Sequence, residues 1–152
     1  MKSLKLKTIE IVNACTMLDS ADYQQLPDDE RIKLWKIARK LRPIADTYLK
    51  EKQSAQETFK PNDEVWEKFK KGAEYEDAKQ KGTELPITDK EYKEIKEEYI
   101  KHLKLVKKAL KELEDKEEEL EIEPLSEAGF DKLIGLNKWP LPELDTIAFI
   151  VE

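Results

Sequence analysis

His102 is the only histidine in the chain and Cys15 the only cysteine, so the zinc sites built from several such ligands cannot be assembled here. His102 stands between lysines in the helical pattern KHLKL and flanks an apolar seam, which assigns it a surface or interfacial role rather than that of a catalytic base. Cys15 falls in the apolar run Ile11, Val12, Cys15 and Leu18, the setting of a buried filler. A lone cysteine excludes an internal disulfide and fits a reducing compartment. No G-x-x-x-x-G-K or G-x-G-x-x-G segment is present to cradle phosphate. Residues 112–123 hold eight acids and one lysine, but they lack the Gly-centred loop of a calcium site. The chain therefore reads as non-enzymatic, with no cofactor and no metal.

What remains is recognition chemistry. Trp66 and Phe69 form an aromatic pair within a short predicted helix, and Glu117, Glu118 and Glu119 form the centre of the acidic block. These five are the candidate contacts for a protein partner. The acidic block admits a second role, that of a nucleic-acid mimic occupying the basic groove of another protein. Lys101, Lys104, Lys108 and Lys111 make a basic stripe at helical spacing, which reads as an ordinary solvated face. Trp139-Pro140-Leu141-Pro142 lacks polyproline-ligand spacing; Trp139 is expected on the core, with the prolines steering the chain into a last strand.

The elements that must position these residues are mainly helical. KSLKLK alternates as a half-buried strand, Thr8 is placed to cap a short helix over 9–21, and Leu26-Pro27-Asp28-Asp29 opens a long helix running to about 59, in which Pro43 is expected to cause a kink or the loss of one hydrogen bond near residue 39. An insertion at 60–87 carries Trp66 and is punctuated by Gly72, Gly82 and Pro86. Thr88-Asp89-Lys90-Glu91 is a capping box opening a second long helix over 88–120. Tyr92, Tyr99, Val106, Leu113 and Leu120 recur every seven residues on that helix, matching Leu34, Leu41, Tyr48 and Ala55 on the first. An antiparallel pairing sets Leu34 opposite Leu113, Leu41 opposite Val106 and Tyr48 opposite Tyr99. It also lays the six cations of 31–42, a stretch without an acid, beside the acids of 112–123. After Leu120, ELEIEPL turns strand-like, Ser126 caps a small helix ended by Gly135, and DTIAFIVE reads as a final strand. The predicted fold is α+β, mainly α: a single domain over 1–152, with a long antiparallel, coiled-coil-like helical hairpin and a small sheet of short strands from both termini at its base. A sheet edge at 118–123 or 146–151 offers a route to a homodimer.

The totals agree with a wet, extended helical protein. The 152 residues are 39% hydrophobic and 41% charged, with only 4 glycines, and the mean hydropathy is −0.77. A net charge of −6 disfavours broad nucleic-acid binding, which needs a basic face. No stretch approaches the roughly 20 apolar residues of a membrane span, and MKSLKLKTIEIVNA has no signal-cleavage pattern, so a cytoplasmic protein is expected.

Two stretches resemble a family of small, uncharacterised proteins of tailed phages and prophages. KLKTIEIVNACTMLDSADYQQLPDDERIKLWKIARKLRPIADTYLKEKQ is similar to that family's opening, a strand, an Asn-containing helix, a Leu-Pro step and a long basic helix. EEELEIEPLSEAGFDKL followed by LPELDTIAFIVE is similar to its close. The resemblance implies a phage or prophage origin and no known activity, with expression in the host cytoplasm and a protein of the phage or of its host as the partner; it transfers no functional residue.

Overall fold

The alternation of KSLKLK finds its partner in the middle of the chain. In the computed structural model, which describes residues 1–152, strand β1 (Lys2–Lys7) pairs antiparallel with β2 (Glu117–Ile122). Lys2 lies opposite Ile122, Leu4 opposite Leu120 and Lys7 opposite Glu117. The fold is α+β and mainly α, with this two-stranded sheet and six helices: α1 (Thr8–Asp19), α2 (Asp28–Thr58), α3 (Asp63–Lys81), α4 (Asp89–Asp115), α5 (Glu127–Asn137) and α6 (Leu141–Ile147). A single 3-10 turn, Ala148–Ile150, follows α6. The chain divides into two compact units, one of Met1–Glu51 with Glu112–Glu152 and one of Lys52–Lys111.

In the first unit a two-stranded sheet is too small to stand alone and must be covered by helices. Ile11, Cys15 and Leu18 of α1, Leu34, Ile37 and Leu41 of α2, Ile122 of β2, Leu133 of α5 and Ile147 of α6 form one buried cluster, with Leu4, Leu6, Leu120, Phe130 and Trp139 packed around it. Trp139 thus lies where the sequence placed it. The junctions are tied as well: the Lys116 carbonyl accepts hydrogen bonds from both the Thr8 amide and the Thr8 hydroxyl, each at 2.8 Å. Thr8 is therefore inside α1, and the expected cap is replaced by a clasp between the end of β1 and the start of β2.

Three further expectations are corrected. Helix α4 stops at Asp115 instead of Leu120, because Glu117–Ile122 gains more by laddering against β1 than by continuing a helix whose last turns would be almost wholly acidic. The final strand is absent: Pro142 sits in the first turn of α6, where a missing N–H costs nothing. Ile147 and Ile150 are then buried at helical spacing, leaving one parallel bridge, Leu125 with Val151. Gly135 does not end α5; the left-handed C-cap falls on Lys138, with φ 52°. Helix α2 spans Asp28–Thr58 with Pro43 inside it, close to the expected bounds.

The long-helix register also changes. Leu34 is buried in the cluster of the first unit, whereas Leu113 lies beside Pro43, Ile44, Thr47 and Tyr48, more than two turns farther along α2. Tyr48 donates a hydrogen bond to Glu114, and Tyr99 packs edge-on to Phe69 of α3 at 5.1 Å. The cause is the insertion. Residues 63–81 form a full helix, started by the Asn62 side chain accepting from the Val65 amide and ended by Gly82 at φ 66°, and this helix covers the aromatic stretch of α4.

Candidate functional site

Within the second unit α3 and α4 run antiparallel, because each step of three residues forward on α3 meets a step back on α4. Phe69 meets Tyr99, Gly72 meets Ile95 and Tyr75 meets Tyr92. Gly72 makes the approach possible: a Cβ there would stand 3.1 Å from Ile95 Cγ2. Tyr75 and Tyr92 stack at 4.2 Å between planes only 15° apart, an arrangement that adds specificity beyond the area it buries. Their hydroxyls donate to Asp89 and Glu76 respectively. Those bonds to carboxylates, before burial or charge, raise both phenols above their ordinary pKa. Thr88 accepts from the Glu91 amide at 3.2 Å and its hydroxyl donates to the Glu91 carboxylate at 3.1 Å, fixing the start of α4.

This pairing leaves an open groove of about 330 Å³, lined by Trp66, Phe69, Tyr92, Ile95 and Tyr99, with Lys70, Glu76 and Lys96 at its edge. Trp66 is 50% exposed and Tyr99 44%. Helix α4 has no fully buried residue anywhere along its apolar stripe. A helix with a continuous apolar face and no buried member is incompletely covered, which makes this surface a candidate docking site. The sequence singles out Trp66 and Phe69; its heptad reading pairs Tyr92 and Tyr99 with α2 and passes over Ile95, so these three are missed. The signal that could have found them is Phe69-x-x-Gly72-x-x-Tyr75, a single face of α3 with a gap for a close partner helix.

The other named residues go elsewhere. Glu117 and Glu119 point to the solvent face of β2 while Glu118 turns inward. Lys5 pairs with Glu117 at 2.9 Å, Lys7 with Asp115 at 3.6 Å and Lys116 with Glu118 at 3.7 Å. The acidic block is thus largely a strand countered by the lysines of β1, and the expected acidic helical face does not form over 117–122. Of the six cations at 31–42, only Lys40 reaches this strand, donating to the Glu121 carbonyl. The proposed dimer edge at 146–151 is helical as far as Ile150, and Val151 is bridged to Leu125.

The remaining reactive groups are quiet. Cys15 is buried, and desolvation, then the charge of Asp19, raise its thiol pKa, which keeps it from being a thiolate nucleophile. His102 lies 5.9 Å from the Phe69 ring, at the margin of the aromatic seam. No group of three or more His, Cys, Asp or Glu residues is arranged to hold a metal ion, and no helix is long and apolar enough to cross a membrane. No protein family, curated protein or solved structure matches the chain.

Proposed function

We propose that this chain is a non-enzymatic interaction or assembly protein of phage or prophage origin, which engages a protein partner through the α3–α4 groove. The observation that carries this reading is the coincidence of an exposed Trp66 with Phe69, Tyr92, Ile95 and Tyr99 around one mainly apolar depression. A groove flanked by two helices and walled by aromatic rings suits the apolar face of an amphipathic helix, read at i, i+3, i+4 and i+7. The resemblance of both ends of the chain to phage proteins supplies the origin, and the cell cytoplasm is the corresponding location.

The test places a photo-crosslinking residue at position 66 and, separately, at the exposed position 90, in cells carrying the phage or prophage. A discrete protein adduct at 66 that is absent at 90, and that disappears with Ile95→Glu, is the expected result. Equal adducts at both positions would overturn the groove. Turnover of nucleotides, peptides or sugars by the purified chain would overturn the non-enzymatic reading.

A further inference from the structure

The first unit carries a second surface, and its chemistry differs from that of the groove. Along the outer side of α2, Ile32 is 51% and Trp35 56% exposed; with Tyr23 at 45%, Gln24 and Arg31 they line a shallow depression of about 400 Å³. The Arg39 guanidinium sits 4.7 Å from the centre of the Trp35 ring, a cation–π contact that holds the indole outward instead of folding it onto the core. Beneath this face Leu34, Ile37 and Leu41 are buried, so the backbone presenting it is anchored. Rigid Trp, Tyr and Arg side chains on an anchored helix are the composition of an interface hot spot.

The charges say what the occupant carries. Residues 31–42 hold six cations and no acid, in a chain whose net charge is −6. Four of the six are engaged: Arg31 with Asp28 at 2.5 Å, Lys33 with Glu30 at 3.9 Å, Arg42 with Asp19, and Lys40 with the Glu121 carbonyl. Lys36 and Arg39 remain beside Trp35 with no ion pair. Two unpaired cations flanking an apolar anchor point match a short acidic segment with one or two large apolar side chains. They are a poor match to nucleic acid, whose affinity grows with the number of phosphates neutralised and would here rest on about two. We infer that the surface formed by Tyr23 of the α1–α2 turn with Ile32 and Trp35 of α2, flanked by Lys36 and Arg39, is a docking site for an acidic amphipathic segment of a partner protein. It is separate from the α3–α4 groove and does not depend on it.

The experiment uses the full chain and fluorescently labelled synthetic helices in an anisotropy titration. One helix alternates Asp and Glu with Leu and Phe at i, i+3, i+4 and i+7; a second replaces the acids with lysine; a third probe is a single-stranded oligonucleotide. The acidic helix is expected to bind, to weaken as salt rises, and to lose at least about tenfold in affinity with Trp35→Ala and with Lys36→Glu/Arg39→Glu. The Ile95→Glu variant, which alters the groove, is expected to leave this binding unchanged. These side chains are exposed, so the fold is retained, as circular dichroism checks. No binding by the acidic helix, binding indifferent to the α2 substitutions, or tighter capture of the lysine helix or the oligonucleotide would each overturn the assignment.

Discussion

Glu30 is a buried carboxylate, 6% exposed, and its one hydrogen-bonding partner is the start of another helix. It accepts from the Ser126 hydroxyl at 2.5 Å and from the Ser126 amide at 3.2 Å, while Ser126 itself caps α5 by accepting from the Gly129 amide at 3.0 Å. An anion at a helix N-terminus is favoured by the helix dipole. Gly129 leaves room for it: a Cβ there would lie 2.6 Å from Glu30 Cδ and Oε2. The carboxylate is the far end of a flexible chain, but buried and bonded it can yield only by leaving Ser126. Gly129→Ala should gain up to about 1 kcal/mol of helix propensity and lose about 1.5–3 kcal/mol of charged hydrogen bonding. A net loss near 1–2 kcal/mol is expected. Glu30→Ala alone should cost about 2–3 kcal/mol, since it strands the Ser126 donors. In the Glu30→Ala background the clash is gone, so Gly129→Ala should change sign and stabilise by about 0.5–1 kcal/mol. The coupling energy would then be about 1.5–3 kcal/mol. Gly135→Ala in the same helix, where an added Cβ meets nothing within 4 Å, is the control and should stabilise in both backgrounds. Urea denaturation followed by circular dichroism measures all five variants. The reasoning is refuted if Gly129→Ala has the same effect with and without Glu30.

Asn137 ties the loop after α1 to α5, accepting from the Asp22 amide at 2.6 Å and donating to the Asp22 and Leu133 carbonyls at 2.9 Å. Asn137→Ala should cost about 1–3 kcal/mol in urea unfolding, and Asn137→Asp should be no better, because a carboxylate would face the Asp22 carbonyl; an unchanged midpoint for either would contradict the clasp. Burial, then the charge and hydrogen bond of Glu114, raise the Tyr48 phenol above its ordinary 10.0. Above pH 10 the unfolded chain loses this proton first, so its stabilisation is complete below that value and lost as pH rises through the folded pKa. Tyr48→Phe should therefore flatten the alkaline decline in stability, and an identical slope in both proteins would refute the assignment.

The parts of the fold legible in the sequence are those governed by local chemistry. The β1 alternation, the Thr88 and Ser126 caps, the Asp28 start of α2 and the Trp139 core contact depend on neighbours within a few residues, and each is found in place. Gly135, passed over as the end of α5 in favour of Lys138, is a local failure; the larger ones involve choices between distant partners. Heptad spacing on α2 and α4 is compatible with many registers, and nothing local reveals that Glu117–Ile122 prefers the lysines of β1 to another turn of helix. DTIAFIVE reads equally as strand or helix over so short a run; the proline two residues into α6 settles it.

The same limit explains which half of the groove could be read in advance. Trp66 and Phe69 stand out because large aromatics in a charged insertion are conspicuous wherever they pack. Tyr92, Ile95 and Tyr99 do not, because a seam residue looks alike whether its partner is α2, α3 or another molecule. What distinguishes them is incomplete burial: Tyr48 on α2 is 4% exposed, whereas Tyr99, at an equivalent heptad position on α4, is 44% exposed. A seam conserved in pattern but left open along its length is chemically unsatisfied, since each aromatic side chain held partly in water forgoes a share of the burial that would stabilise it. A partner helix laid on Trp66 and Tyr99 would recover that share, and the proposed role of the α3–α4 groove rests on this difference between Tyr48 and Tyr99.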